Sequence, residues 1–130
     1  MTPMQYNGLA LAYIGDAIYE LRIRNYVLSL GLTKVNDMNK KAVEFTKGEA
    51  QAQVMRHMIE NNMLSDEEMD MFKRGRNSSV KKIRKNISRA DYLEGTGFES
   101  LVGYLYLTNN TKRLEEIFDL AINLLSKKEG

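Results

Sequence analysis

Two short segments each set a carboxylate within an otherwise apolar helical stretch: Ala12-Tyr13-Ile14-Gly15-Asp16-Ala17-Ile18-Tyr19-Glu20 and Thr96-Gly97-Phe98-Glu99-Ser100-Leu101-Val102-Gly103-Tyr104-Leu105. Ionised Asp and Glu are rarely buried without a partner, because desolvation penalises the charged form. Neither segment contains a Lys or Arg that would neutralise its acid. If Asp16 and Glu99 met, they would repel, and one would be forced to take a proton. A divalent cation between them removes that conflict. Magnesium prefers oxygen ligands, needs few of them from protein and keeps several waters. Held against a phosphodiester, it stabilises the charge that develops on phosphorus and makes its water a better nucleophile at neutral pH. Asp16 and Glu99 are therefore candidate catalytic groups and metal ligands. Glu20, four residues after Asp16 and on the same helix face, is a further candidate ligand. The plainer alternative has Asp16 hydrogen-bonded to a helix end and Glu99 paired with a distant Arg. Spacing alone leaves both readings open.

Positioning two such acids requires two helices to approach closely. Gly15 precedes Asp16 and Gly103 follows Glu99 by four residues, so each helix carries a small residue beside its acid. The first helix is expected over about 6–30, closed by Gly31. It is apolar on more than one stripe, which predicts a central place in the fold. Thr33 is a candidate cap for a second helix reaching about Phe45, and a third is expected over about 47–62. Ser65 and Glu68 form a capping box that opens a fourth. Ser88 and Asp91 have the same spacing ahead of a fifth helix, which reaches about Leu107. After an Asn109-Asn110 turn, Thr111 is expected to cap a last helix with a Leu114, Ile117, Phe118, Ala121, Ile122, Leu125 stripe. With one Pro and no alternating strand pattern, the 130 residues read as a single all-α domain without repeats.

The net charge of +2 hides an asymmetry. Residues 73–89 hold eight of the 19 basic residues and no acidic one, whereas the remainder sets eleven basic residues against 17 acidic ones. Such an excess points to a polyanionic partner met at one place, rather than to a solvated charged loop. Lys73, Arg74, Arg76, Lys81, Lys82, Arg84 and Lys85, with Asn77, are the candidate residues for binding that polyanion. Aromatic rings are missing from this stretch, and single-strand binders normally stack bases on such rings. A duplex read through its backbone and shape fits better. No run is long enough to span a bilayer, no secretory signal is evident, and cysteine is absent, which together favour a cytoplasmic protein. The lone His57 reads as a partly exposed structural residue.

Residues Tyr13-Ile14-Gly15-Asp16-Ala17-Ile18 resemble the signature centre of the ribonuclease III family, and Phe98 to Leu107 resembles that family's second catalytic helix. With Leu9-Ala10-Leu11-Ala12 and Phe72-Lys73-Arg74-Gly75-Arg76-Asn77, the chain is most similar to the compact bacterial branch, Mini-ribonuclease III, which lacks a double-stranded-RNA-binding domain. The resemblance implies a helical-bundle homodimer that cuts double-stranded RNA with Mg2+ (Mn2+ substituting), leaving 5′-phosphate and 3′-hydroxyl ends. It implies precursor large-subunit ribosomal RNA as the substrate class. It also implies that the basic loop over about 73–89 replaces the missing binding domain. Asp16 and Glu99 match the family's acids. Two other family acids are replaced by Ala12 and Thr96, for which Glu20 or the Thr96 hydroxyl, through water, could compensate. That loss supports an alternative, a catalytically silent RNA-binding or ribosome-associated protein of the same fold. A helical module whose loop meets an acidic protein is a third reading.

Overall fold

The computed structural model describes residues 1–78 and 86–127. They form a short 3-10 turn (Pro3–Gln5) and six helices: α1 (Gly8–Leu28), α2 (Val35–Thr46), α3 (Gly48–Glu60), α4 (Asp66–Arg76), α5 (Arg89–Leu107) and α6 (Thr111–Ser126). Among the described residues there is no strand, so the all-α expectation holds.

Local chemistry sets most of the boundaries. The Asn7 side chain accepts from Ala10 N at 2.8 Å and opens α1. The Ser65–Glu68 capping box is formed in both directions, and Ser88 accepts from Asp91 N at 3.0 Å. Gly31, at φ +82°, turns the chain after α1. Two expected caps are not used. Lys34 rather than Thr33 precedes α2, and Asn110 rather than Thr111 precedes α6, neither with a side-chain cap bond.

The central helix is α5, not α1. From Gly95 to Leu105 every residue of α5 except Glu99 is buried, and α1, α3, α4 and α6 all pack against it. α1 buries only one stripe, Leu11, Ala12, Gly15, Tyr19, Ile23 and Val27. Its other apolar face stays open, with Tyr13 83 % and Leu21 59 % exposed beside Leu9 and Leu28. Apolar composition on several faces therefore reflects two different surfaces, of which the chain itself covers one.

The contact between α1 and α5 is unusually close. A Cβ on Gly15 would lie 1.8 Å from the Glu99 carbonyl oxygen, and a Cβ on Gly103 would lie 1.9 Å from that of Leu11. The paired order, 15 with 99 and 11 with 103, makes the helices antiparallel. α4 meets α5 in the same manner, since a Cβ on Gly75 would be 2.5 Å from that of Ser100. The Ser100 hydroxyl donates to the Met71 carbonyl at 2.9 Å across that contact. Tyr19 fixes α2 by donating to the Phe45 carbonyl at 2.9 Å, and its ring meets Phe98 edge to face at 4.9 Å. Arg113 anchors α6 through a two-pronged pair with Glu68 at 2.7 and 3.0 Å. Arg56 of α3 pairs with Asp91 and Glu94 of α5.

Because backbone rather than a flexible side chain occupies the space, α1 and α5 would have to separate to admit a methyl group. Gly15→Ala should cost at least ~1–3 kcal/mol by overpacking, measured as a lower denaturant midpoint in chemical unfolding. An unchanged midpoint would contradict the close approach.

Candidate active site

The Gly15 contact places Asp16 of α1 and Glu99 of α5 on the rim of one cavity of about 230 Å³. Thr46 and Gly48 from the α2–α3 junction, Gln51 of α3, and Ile87, Tyr92, Gly95 and Thr96 complete its wall. The two acids, 83 positions apart in sequence, thus converge as expected. Asp16 is the exposed member and Glu99 the half-buried one.

Their proximity shows in the acidity of Glu99. Burial, followed by a hydrogen-bonding approach and charge from Asp16, pushes its carboxyl up to about 9 from an ordinary 4.5. A hydrogen bond from Gln51 opposes this, and Glu20 adds a smaller push in the same direction as Asp16. Gln51, which sequence reasoning did not single out, donates from Nε2 to Glu99 Oε2 at 3.3 Å and to the Thr46 carbonyl at 3.0 Å. A glutamine on a mixed helix carries no sequence signal for such a contact, which depends on how α3 and α5 pack.

Among the described residues, no cluster of three or more His, Cys, Asp and Glu side chains could hold a metal ion. The acid donor set is therefore a pair. A pair fits a strongly hydrated hard cation, which takes one or two carboxylates and keeps its waters. The charge conflict at Glu99 is the kind that a cation relieves. Glu20 does not line the cavity. Its carboxylate pairs with Arg24 at 3.1 Å, so that acid does have a basic neighbour, one turn beyond the segment that carries it. Ala12 is buried one turn before Asp16. Thr96 does border the cavity, and its hydroxyl donates to the Tyr92 carbonyl at 3.0 Å.

The basic residues divide. Lys73 and Asn77 are exposed at the end of α4. Arg76 lies over the Phe72 ring at 5.5 Å and donates to the Asn77 side chain at 3.1 Å. Arg74 is half-exposed, and its Nη1 donates to the Met4 and Tyr6 carbonyls at 2.6 and 3.1 Å, which ties down the N-terminal segment. Lys81, Lys82, Arg84 and Lys85 lie outside the described residues. At the two described ends of the basic stretch, Gly75 packs on Thr96 and Ser100, and Ile87 lines the cavity of the acid pair. Tyr104 donates to Glu67 on the α4 side. Tyr13 and Tyr106 are exposed.

The ribonuclease III domain matches residues 9–110, a span that holds both acids and the basic stretch. The chain belongs to the ribonuclease III family. It is 49 % identical to the Mini-ribonuclease 3 of Enterococcus faecalis over 126 residues, covering 97 % of this chain and 92 % of that one. It is 48 % identical to that of Clostridium tetani over 130 residues, covering 97 % and 85 %. A crystal structure of a protein from Fusobacterium nucleatum superposes with a TM-score of 0.86 at 29 % identity, covering 95 % of this chain and 98 % of that one. These relatives support a ribonuclease III-type endoribonuclease.

The raised Glu99 carboxyl has a consequence for stability. Between about 4.5 and 9 the folded, metal-free protein retains a proton that the unfolded chain has released. Folding stability therefore falls as pH rises through that window. Glu99→Gln removes the titration, so in chelator the variant should melt above the wild type at pH 8 and match it at about pH 4. A variant that melts below the wild type at pH 8 would contradict the buried charge conflict.

Proposed function

We propose that this chain is a metal-dependent endonuclease of double-stranded RNA. The observation that carries the reading is the convergence of Asp16 and Glu99 on one polar cavity, with no cationic side chain among the described residues of its lining. The family acts on double-stranded RNA and generally uses a divalent metal, and Mg2+ suits a pair of carboxylates best. Asp16 and Glu99 would hold the ion, with Glu20 adding negative charge from one turn away. Once bound, the ion supplies charge stabilisation at phosphorus and an activated water.

The chain's own residues do the rest. Asp16, exposed on α1, faces incoming substrate, and Glu99 is held deeper by α5. Lys73, Arg76 and Asn77, with Lys81, Lys82, Arg84 and Lys85, contact the duplex backbone and draw its phosphates to the acids. Arg74 serves the N-terminal tie. Cleavage of the P–O3′ bond by water leaves a 5′-phosphate and a 3′-hydroxyl. The uncovered apolar face of α1, with Leu9, Tyr13, Leu21 and Leu28, supports a homodimer in which each subunit cuts one strand. The resemblance supports maturation of precursor large-subunit ribosomal RNA in the cytoplasm.

Ala12 and Thr96 favour one other reading, an RNA-binding protein of this fold that no longer cuts. An assay on a long RNA duplex separates the two. The wild type should cleave with Mg2+ and stop in chelator. Asp16→Asn should lose several kcal/mol of transition-state stabilisation, roughly 10³-fold in rate, while still binding the duplex. A wild type that binds duplex but cuts at no metal concentration would establish the silent reading, and an Asp16→Asn enzyme of full activity would remove Asp16 from the site.

A further inference from the structure

We propose that Gln51 is a positioning residue for the acid pair, fixing the Glu99 carboxylate toward Asp16 through its side-chain amide. The inference rests on the reading that this pair holds a divalent cation. Gln51 is 2 % exposed. A buried amide is costly unless its hydrogen bonds are made. Both protons of Nε2 are used, one on the Thr46 carbonyl at 3.0 Å and one on Glu99 Oε2 at 3.3 Å. Only this orientation of the amide satisfies both acceptors, since the flipped one would set three oxygens against one another. The carbonyl end of the side chain lies against Gly95, where an added Cβ would come within 3.3 Å of Oε1. Gly95 thus leaves room for the amide in the orientation that Glu99 needs.

The same bonds join the two acid-bearing helices by a second route. Tyr19, three residues after Asp16 on α1, donates to the Phe45 carbonyl. The next carbonyl, that of Thr46, receives the Gln51 amide. Glu99 on α5 receives the other proton of that amide. The α2–α3 junction is therefore a strut between α1 and α5, independent of the direct Gly15 contact. A neutral donor is the chemistry this position requires. A Lys or Arg here would neutralise Glu99 and compete with the ion, whereas an amide orients the carboxylate and leaves its charge in place. With Ala12 and Thr96 standing where the family has further acids, each remaining ligand's orientation weighs more.

Calorimetric titration of the full-length chain with Mn2+ tests this. Gln51→Met keeps the side-chain length and removes the donor. Its Mn2+ affinity should fall about 10- to 100-fold per folded molecule. Cleavage should lose kcat while KM for duplex RNA stays the same. A merely structural glutamine would lower the melting temperature and leave both the Mn2+ affinity and the kcat-to-KM pattern intact, which would overturn the role. If Gln51→Met does not fold, the Gln51 side-chain NH2 resonances of the wild type are followed during Mg2+ titration. They should shift with the same midpoint as metal uptake, and resonances that stay fixed at saturation would overturn the inference. Uptake that is present in the wild type and absent in Asp16→Asn, but unchanged in Gln51→Met, overturns Gln51 alone. A wild type that takes up no Mn2+ overturns the metal reading and this inference together.

Discussion

Two helices pressed together at glycine bring two carboxylates to one place, and the rest of the molecule is arranged around that contact. The approach at Gly15 and Gly103 leaves no space for a side chain between α1 and α5. It fixes Asp16 relative to Glu99 through the backbone, which is stiffer than any chain of side-chain contacts. α3, α4 and α6 then hold α5 from other sides, so the acid-bearing turn has little freedom to retreat.

The arrangement costs stability. Glu99 is buried enough, and Asp16 close enough, that its carboxyl is protonated at neutral pH when no cation is present. A protein optimised only for folding would place an apolar residue or a cation there. Here both acids stay, and the immediate donor to Glu99 is the neutral amide of Gln51. The basic stretch addresses the other half of the electrostatic problem. A phosphodiester cannot approach two acids unaided, and on the proposed function the basic residues of the 73–89 stretch supply the compensating charge.

Much of this was legible in the chain. An acid in an apolar helix beside a glycine is locally anomalous, and twice in one chain it is informative. The Ser65 and Ser88 caps, the α6 stripe and the all-α class followed from short-range chemistry that tertiary packing did not override. The role of α1 was harder to read. Its apolar residues serve two surfaces, and composition does not distinguish a face that the chain buries from one that it leaves open. Gln51 gave no signal, because its importance arises only when α3 crosses α5.

Anomalous scattering from crystals equilibrated with Mn2+ addresses the central claim most directly. The account predicts one dominant peak per subunit, about 2.0–2.2 Å from carboxylate oxygens of both Asp16 and Glu99, with its remaining ligands supplied by water. A peak bound to neither acid, or no peak between them at saturating Mn2+, would contradict it.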